Sequence, residues 1–361
     1  MRVLMIGPSR VVKGGISTLV NNYYAAELDK KVSMTYLRTM EDGNKLKKLL
    51  IAIASFFSFL FIIRKHDILH VHMSTGASFY RKSFFIISAK RLSKKIIIHL
   101  HGGEFHLFYN QRSSLRQRAF IRYIYQCADG VIVLSESWKE FLSTFVDSSK
   151  ITVIYNCVPV PADADKNYSN YQLLFMGRIN NTKGIYDLID IMPDIKDQFP
   201  EVRLSIGGDG EIRQLQKIIH EKKLEEQVKY IGWVTDTAKE EYFRRATIYL
   251  LPSYNECLPM GLLEAMSYKC ASVTTTVGGI PEVIKQDQNG YMFEPGDKNR
   301  MKEIIIMLLK DSKTCERIGR RAYSDIIETY NCHKSVEKLL GLYYVFKGET
   351  DHEYSDYKKS Q

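Results

Sequence analysis

The segment Ile248–Glu264 reads IYLLPSYNECLPMGLLE and contains a short apolar run, a proline-containing turn and the start of a helix. Proline suits the first position of a helix, where its missing N–H is no loss, so Pro259 is expected to open a helix that carries Glu264. Glu256 is then in the loop that faces the helix N-terminus. The free N–H groups and partial positive charge there suit a phosphate, and two carboxylates suit hydroxyl groups. The segment therefore predicts a site for a molecule that carries both.

Short β-rich runs like the one that opens this segment recur along the chain and alternate with helical stretches. This alternation implies parallel sheets covered by helices on both faces. The predicted strands are Arg2–Ile6, Ser33–Leu37, Ile68–His72, Lys95–Leu100, Gly130–Leu134, Ile151–Ile154, Tyr171–Met176, Arg203–Gly207, Val228–Gly232, Ile248–Leu251, Ala271–Thr275 and Gly290–Phe293.

The stretch Val158–Asn170 is rich in Pro, Asp and Asn and is typical of a linker. We therefore predict an α/β fold with two Rossmann-like, doubly wound parallel-sheet domains, 1–160 and 161–330, that face each other across a cleft. A helix at 331–346 is expected to pack back toward the first domain, and a charged tail follows at 347–361. Ligands of open α/β sheets bind outside the carboxyl ends of the strands, so the site residues are expected at strand ends.

The composition is that of a soluble globular protein, with 361 residues of which 45% are apolar and 25% charged. The six cysteines include no C-x-x-C pair, which argues against a zinc site and a disulfide scaffold and predicts a reducing cytoplasm. The first ten residues lack the apolar region of a signal peptide. Asp163-Ala-Asp165 matches a short metal-binding pattern but lies in the linker, so no metal site is predicted.

The formal net charge of +10 comes entirely from the first half of the chain. Residues 1–160 carry 23 Lys and Arg against 10 Asp and Glu. Neither the aromatic spacing of a single-strand binding platform nor a zinc finger accompanies these cations, so no nucleic-acid partner is predicted. An anionic membrane surface, an anionic lipid-linked substrate and a merely solvated basic face remain as alternatives.

The longest apolar run, Leu49–Ile63, is flanked by lysines and an arginine. At 15 residues it is shorter than the roughly 20 that span a bilayer as a helix. The favoured interpretation is a helix buried in the first domain. The alternative is a segment that lies in the membrane interface with help from its basic flanks.

Two cations lie five residues apart in FMGRINNTKG, which spans Phe175–Gly184. Arg178 and Lys183 flank a turn between a predicted strand and a predicted helix, so both can reach one diphosphate. Cations in this position stabilise the charge that develops on a departing nucleoside diphosphate. Solvated surface cations are the alternative, but the strand before and the helix after favour a phosphate site.

Histidines occupy the ends of two neighbouring predicted strands. His101 begins the turn HGGEF, and its flanking glycines leave little for its ring to pack against, so a functional role is favoured over a structural one. His72 ends the preceding strand in the same way, and both interpretations remain open for it. His99 lies deeper and is expected in the core.

Glycine-containing strand ends give weaker signals. The loop after the first strand fails both the P-loop and the G-x-G-x-x-G patterns, but its Gly14-Gly15 pair permits a ligand to approach backbone N–H groups. Gly208 and Trp233 follow two strands of the second domain, where backbone groups suit a base pocket.

Together these motifs resemble the family-4 retaining glycosyltransferases, most closely the members that build bacterial surface polysaccharides. The resemblance covers roughly residues 1–345 and rests on G-R-x4-K-G at 177–184, P-S-x-x-E-x7-E at 252–264, G-G-I-P-E at 278–282, the Gly-Gly loop at 14–15 and H-G-G at 101–103. It implies the two-domain GT-B architecture. It also implies transfer from a UDP- or GDP-sugar to a glycan or polyprenyl-linked acceptor, without a metal or other cofactor. The expected location is the cytoplasm, with peripheral attachment to the inner face of the plasma membrane through the basic first domain as the alternative to a purely cytoplasmic protein.

The resemblance also implies roles for individual residues. Arg178 and Lys183 would bind the donor diphosphate, while Glu256 would contact the hydroxyls of the sugar and Glu264 those of the ribose. His101 would approach the sugar near the reacting carbon. The predicted catalytic set is Glu256, His101, Lys183 and Arg178, and the predicted donor-binding set is Gly14, Gly15, Arg178, Lys183, Gly208, Trp233, Glu256, Gly261 and Glu264.

Two other functions share this architecture. A UDP-sugar 2-epimerase would need acids and bases for an elimination, and the cationic turn with E-x7-E fits transfer better. A non-catalytic sugar-nucleotide-binding protein would not need to keep Arg178, Lys183, Glu256 and Glu264 together. A dinucleotide dehydrogenase is disfavoured by the missing G-x-G-x-x-G.

Overall fold

The computed structural model describes residues 1–162 and 164–348, apart from the side chain of Asp236. Asp163 and nearly all of the predicted charged tail lie outside the described residues. The chain divides into two compact units, of which the first contains residues 1–157 and the chain from Cys332 onward, and the second contains Val158–Asn331.

The first unit is built on a six-stranded parallel sheet in the order β2-β1-β3-β4-β5-β6. Its strands are β1 (Arg2–Pro8), β2 (Ser33–Met40), β3 (Ile68–Met73), β4 (Lys95–Leu100), β5 (Gly130–Val133) and β6 (Ile151–Val153). Its helices up to this point are α1 (Gly15–Ala25), α2 (Leu28–Lys31), α3 (Lys45–Ile62), α4 (Ala77–Arg91), α5 (Phe105–Asn110), α6 (Leu115–Gln126) and α7 (Glu136–Ser143).

The second unit repeats this plan with the order β12-β11-β10-β7-β8-β9. Its strands are β7 (Gln172–Met176), β8 (Arg203–Gly207), β9 (Val228–Gly232), β10 (Ile248–Leu251), β11 (Ala271–Thr275) and β12 (Tyr291–Phe293). Its helices are α8 (Ile185–Gln198), α9 (Ile212–Glu221), α10 (Asp236–Arg245), α11 (Met260–Ser267), α12 (Ile280–Val283), α13 (Lys298–Lys310) and α14 (Ser312–Asp325).

The last helix, α15 (Cys332–Lys347), belongs to the first unit. The hydroxyl of its Tyr343 lies 2.5 Å from His70 Nδ1 of β3, and its Ser335 hydroxyl donates to the Tyr155 carbonyl at 3.3 Å. The polypeptide therefore leaves the first unit at Cys157 and re-enters it at Cys332.

The predicted α/β architecture is confirmed. It could be predicted because interior strands of parallel sheets are buried on both faces and therefore consist of continuous apolar runs. All six residues of β3 are buried, as are all five of β11. Strand order reverses between β1 and β3 in the first unit and between β10 and β7 in the second. Ligands of open α/β sheets bind outside the carboxyl ends of strands at such reversals.

Local helix signals were less reliable than the strands. The sequence predicted that a helix ends at Met192, but α8 continues through Pro193 to Gln198. Pro259, predicted at the first helical position, is instead the extended residue that precedes α11, and the helix begins at Met260. Both differences shift an element boundary without moving a predicted site residue off its strand end.

The prediction that Leu49–Ile63 is a buried helix is wrong. Within α3 only Ser55 and Phe59 are buried, whereas Phe57 is 60% and Phe61 69% exposed. With the 3₁₀ turn that follows it, the helix spans Lys45–Lys65. Its most apolar stretch of 18 residues has a mean hydropathy of 2.1, and 17% of that stretch is buried. Length and composition alone would let it cross a membrane, and this is the one helix of the described residues for which that holds.

Candidate active site

The loops that follow β7 and β10 are packed together at the strand-order reversal of the second unit. The Tyr254 N–H donates to the Thr182 carbonyl at 2.8 Å, and the 3₁₀ turn Asn181–Lys183 leads directly into Gly184. Gly184 has a φ of +65°, and a Cβ there would lie 1.9 Å from the Pro252 carbonyl oxygen. Only glycine allows this close approach, which places Lys183-Gly184 against Pro252-Ser253.

Lys183 and Glu256 form an ion pair in these packed loops. Lys183 Nζ donates to Glu256 Oε1 at 2.5 Å, and the Ser253 hydroxyl donates to the same oxygen at 2.8 Å. The Thr275 hydroxyl donates a hydrogen bond to the Ser253 carbonyl at 2.6 Å. The side chains of Lys183 and Glu256 are 24% and 9% exposed, so the carboxylate is fixed from the protein side and the cation remains accessible.

Arg178 lies two residues beyond β7 at the same edge and is exposed. Its loop is joined to the loop after β8, since the Ile179 N–H donates to the Asp209 carbonyl at 2.7 Å. Gly208 has a φ of +149°, and a Cβ there would lie 1.8 Å from the Gly177 carbonyl oxygen. Gly208 therefore has a packing role that the sequence did not reveal, and its predicted role beside a nucleotide base stays a prediction.

Glu264 forms the second ion pair of this unit. Its Oε1 accepts from Lys239 Nζ of α10 at 2.6 Å, with side-chain exposures of 16% and 26%. Lys239 was not among the predicted site residues, because a lysine on a polar helix gives no distinguishing signal. Trp233 directly follows β9 and is 39% exposed, and its predicted place beside the nucleotide stays a prediction.

Tyr249 of β10 is buried close enough to both carboxylates to feel their charges. Its hydroxyl donates to the Met176 carbonyl at 3.1 Å and lies 2.4 Å from the place that a Cβ on Gly261 would take. Burial raises the pKa of Tyr249 well above its usual value, and the charges of Glu264 and Glu256 add to the effect. The phenol therefore stays neutral and acts as a structural donor.

Cys257 directly follows Glu256 and is buried. Burial raises the pKa of its thiol, and the nearby carboxylates of Glu256 and Glu282 raise it further. The thiol therefore stays protonated, and Cys257 is no nucleophile.

A cavity of about 810 Å³ in this unit lies at the opposite, amino ends of β7, β8 and β9, away from both ion pairs.

The first unit places four histidines in one column across β3 and β4. His72 pairs with His99 in the sheet register, and His70 and His101 extend the column on either side. His70 Nε2 lies 3.2 Å from His99 Nδ1, and His72 Nδ1 lies 2.8 Å from His101 Nε2. His70, His72 and His99 are fully buried and His101 is partly exposed, so His101 is the member that reaches the carboxyl edge.

Burial lowers the pKa of each of the four histidines, to about 3 for His70. Neighbouring histidines lower three of these pKa values further, and Lys82 also acts on His72 and His101. Lys82 of α4 is itself fully buried, and its ammonium donates to the His72 carbonyl and, at 3.2 Å, to the Ser78 hydroxyl. Burial, with a smaller effect of Arg81, lowers the pKa of Lys82 to about 7.

The sequence analysis overlooked Lys82. It occupies the buried stripe of α4 together with Phe79, Ser83 and Ile86, at the i, i+3, i+4, i+7 spacing that usually holds apolar residues. A lysine inside such a stripe was a signal that the periodicity could have given.

Three of the histidines are close enough to be considered as metal ligands. One nitrogen from each of His70, His72 and His99 lies within 4.8 Å of the others. Their rings are nearly parallel, with 23° between His70 and His72 and 27° between His70 and His99. The in-plane lone pairs of such rings run side by side and do not converge on one ion, so the residues present do not fit a metal centre.

The Gly14-Gly15 loop lies at the carboxyl end of β1, beside the strand-order reversal of this unit. Both glycines are exposed, and a Cβ on Gly14 would meet nothing within 4 Å. Gly14 precedes α1, and its carbonyl accepts from the Thr18 N–H at 3.1 Å. The loop leaves open space at Gly14, and the predicted approach of a ligand to its backbone N–H groups stays a prediction.

Comparisons with known proteins agree with this arrangement of strand-end residues. Residues 27–160 match the family described as "Glycosyltransferase Family 4", and residues 161–325 match "Glycosyl transferases group 1". The chain is 26% identical over 290 residues to N-acetyl-alpha-D-glucosaminyl L-malate synthase of Bacillus anthracis. The aligned region covers 77% of this chain and 74% of that protein. It is also 26% identical over 327 residues to an uncharacterized 41.2 kDa protein in the cps region of Klebsiella pneumoniae, which covers 82% and 87%.

A similar solved structure is that of HepE from Anabaena in complex with UDP-glucose, with a TM-score of 0.75 and 17% identity over 94% of this chain and 99% of that one. At this identity the likeness establishes the fold. The two family matches together span most of the chain. The chain therefore belongs to the family-4 group of GT-B glycosyltransferases.

Proposed function

We propose that this enzyme is a retaining glycosyltransferase that transfers a sugar from a nucleotide-sugar, with UDP favoured over GDP, to a glycan or polyprenyl-linked acceptor. The observation that carries the proposal is the Lys183–Glu256 ion pair at the strand-order reversal of the second unit. A cation and a carboxylate held side by side match the two parts of a nucleotide-sugar, its diphosphate and its hydroxyl groups.

The accessible cations would hold the donor diphosphate. Lys183 and exposed Arg178 follow β7, so both can contact phosphate oxygens, and Gly14 and Gly15 offer backbone N–H groups in the first unit. Glu256 would accept from the sugar hydroxyls, because Ser253 already occupies its protein side. Glu264 would accept from the ribose hydroxyls, near Trp233, Gly208 and Gly261, which would line the nucleotide.

The bond that breaks joins the anomeric carbon to the donor phosphate oxygen, and the acceptor oxygen forms its bond on the same face of the sugar. The proton of the acceptor hydroxyl passes to the departing phosphate, whose charge Arg178 and Lys183 stabilise. Among the residues described at these strand ends, Cys257 stays protonated and the buried histidines stay neutral. We therefore propose catalysis by positioning and electrostatics, without a metal.

The products most consistent with the family are bacterial surface polysaccharides such as capsule, O-antigen or exopolysaccharide. The Klebsiella relative is a protein of the cps region, which supports this pathway, and the UDP-glucose complex of HepE supports a UDP-sugar donor. The Bacillus relative is named for an N-acetylglucosaminyl product, which makes UDP-N-acetylglucosamine a donor to test early.

A panel of UDP- and GDP-sugars tests the function. We expect one donor to lose its sugar to an acceptor or, slowly, to water, at the same rate with EDTA present and with retention of the anomeric configuration. An epimerised sugar nucleotide would instead indicate the 2-epimerase alternative. Tight binding with no turnover of any donor would indicate a sugar-nucleotide-binding protein.

We further propose that the enzyme is cytoplasmic and attaches to the inner face of the plasma membrane through α3. Exposed Leu50, Phe57 and Phe61 form an apolar surface on this helix, and basic residues flank it. Such a surface suits an interface that contains anionic lipids, where a lipid-linked acceptor also lies.

Vesicle co-sedimentation tests the membrane proposal. We expect binding to phosphatidylglycerol-containing vesicles that weakens with salt and falls at least about tenfold when Leu50, Phe57 and Phe61 become Gln, since each loses apolar burial. Changing Leu115, Met307 and Ile327, which are exposed apolar residues elsewhere, to Gln is the matched control. Equal binding by both triple variants would refute a role for α3.

A further inference from the structure

The hydrogen bond between His72 and His101 determines which nitrogen of His101 faces outward. His72 Nδ1 lies 2.8 Å from His101 Nε2, so one of these atoms donates and the other accepts. The backbone N–H of His101 donates to the Met73 carbonyl at 2.8 Å, which fixes where the ring begins. Only Nδ1 of His101 is then left for a ligand.

The surroundings of His72 decide the direction of this bond. His72 Nε2 is buried and, among the described residues, has no hydrogen-bond partner. A buried N–H without an acceptor is rarer and costlier than an unused lone pair, so we place the His72 proton on Nδ1. The Nδ1–H of His72 then donates to His101 Nε2, and a neutral His101 must carry its own proton on Nδ1.

Everything packed around this pair favours the neutral forms. The ring of His70 stacks on His72, the His99 ring lies tilted 5.2 Å from that of His72, and it lies 4.1 Å from the ring of His101. Nζ of Lys82 lies at the His72 carbonyl, and no carboxylate is hydrogen-bonded to either ring within the described residues. An imidazolium has nothing here to stabilise it, which agrees with the lowered pKa of His101.

We infer that His72 is a positioning residue that holds His101 in the Nδ1–H tautomer, so that His101 offers a hydrogen-bond donor to an oxygen of the donor sugar. The inference rests on the proposed function for the ligand, whereas the tautomer is a property of the protein alone. A donor N–H cannot remove a proton from the acceptor hydroxyl. His101 therefore orients the sugar, and the departing phosphate remains the base.

The column does not act as a continuous proton relay. The His72–His101 pair and the Tyr343–His70–His99 chain are each hydrogen-bonded within themselves, but they meet by ring stacking alone. The tautomer of His101 thus depends on a single neighbour, and a single substitution tests it.

Three variants of His72 separate a hydrogen bond from simple packing. His72→Asn places an amide N–H near the position of Nδ1, His72→Gln places it farther out, and His72→Leu fills the space without a donor. We expect His72→Leu and His72→Gln to lower kcat/KM about tenfold, which corresponds to about 1.4 kcal/mol and is the size of a lost hydrogen bond, and His72→Asn to recover most of the loss. Equal activity in the Asn and Leu variants would overturn the inference.

Nitrogen NMR of histidine-labelled protein without any nucleotide reads the tautomer directly, with His101→Asn used to assign the signals. We expect His101 to be protonated on Nδ1 in the wild type and His72→Asn, and to gain Nε2 protonation in His72→Leu. His66, whose two ring nitrogens contact the Ile62 carbonyl and the Thr35 hydroxyl, is the internal control for folding and should not change.

A wild-type His101 protonated on Nε2, or a tautomer unaffected by His72→Leu, would refute the positioning role. If instead no sugar nucleotide is turned over while the NMR result holds, the proposed function fails and the tautomer assignment stands.

Discussion

The two units differ in the partners of the ionisable side chains near their strand ends. In the second unit, Lys183 and Lys239 each meet a carboxylate, Glu256 and Glu264, at 2.5 and 2.6 Å. In the first unit, the histidine column and Lys82 are buried with no carboxylate hydrogen-bonded to them among the described residues, and their pKa values fall.

The difference lies in the partners that each unit gives to its cations. A cation paired with a carboxylate and partly exposed can exchange that carboxylate for a phosphate at small desolvation cost. A buried and unpaired base loses its proton, because the interior cannot solvate the charge, and remains only as a neutral hydrogen-bonding group. Under the proposed function, the cations of the second unit suit the diphosphate, and the neutral histidine of the first unit suits an uncharged hydroxyl.

The largest expected effect concerns Lys82. Its folded pKa of about 7 is below the unfolded value of 10.5, so between these values the unfolded chain binds more protons. The contribution of Lys82 to the free energy of unfolding should therefore rise with pH by up to about 1.4 kcal/mol per unit, roughly 3–4 kcal/mol between pH 7 and 10. Lys82→Met should lack this rise in urea titrations across that range.

Lys90→Met is the matched control, because Lys90 is exposed on the same helix. It should keep the pH dependence of the wild type. A Lys82→Met variant whose stability rose with pH as steeply as that of the wild type would mean that the buried lysine is not neutralised by burial, and the contrast between the units would weaken.

The next largest effect is catalytic. Lys183→Ala and Glu256→Gln should each lower kcat/KM about 10²- to 10³-fold, the effect of removing a group that stabilises developing charge. Stability should change by less than about 1–2 kcal/mol, because the pair is partly exposed. Lys302→Ala breaks an ion pair of the same 2.5 Å length between α13 and α8 and should leave turnover unchanged. Wild-type turnover in Lys183→Ala would contradict the assigned diphosphate site.

Glu264→Gln should have a smaller effect, seen mainly in KM. The change removes one charged acceptor for the ribose hydroxyls and frees Lys239, so we expect KM for the nucleotide-sugar to rise about tenfold with a modest change in kcat. Glu303→Gln, which disrupts an exposed pair with Arg300, is the control. A fall in kcat at constant KM would instead assign Glu264 to the reacting centre.

The smallest effect tests the histidine column. Tyr343→Phe removes the hydroxyl at His70 Nδ1 and should lower the free energy of unfolding by about 1–2 kcal/mol, since a buried ring nitrogen loses its partner. Tyr186→Phe, which loses an exposed bond to Glu211, should cost less than about 0.5 kcal/mol. Equal costs would indicate that burial does not strengthen the column.

Several features followed directly from the sequence. The continuous apolar runs gave every strand of both sheets to within a few residues, because a strand buried on two faces tolerates few polar residues. Strand ends then located Arg178, Lys183, Glu256 and His101 on two carboxyl edges. Boundaries were poorer wherever a proline was treated as a signal, since α8 accommodates Pro193 inside the helix.

The exposure of α3 could not be predicted, because an apolar run of 15 residues can have the same composition in a protein core and at a membrane surface. Lys239 and Tyr249 were missed for a related reason. Each lies near a site carboxylate only because a strand or helix distant in the sequence folds beside it. No local pattern records such a neighbour.

The sequence by itself determined the α/β class, the two domains and the charged motifs at strand ends, because hydrophobic periodicity and turn chemistry are local properties. Only the tertiary structure decided which cations are paired with a carboxylate and which are buried without one. Lys183 and Lys82 are the same residue type, yet one is paired and accessible while the other is buried beside a column of histidines. Protonation depends on solvation and on neighbours within a few ångströms, and the fold sets both.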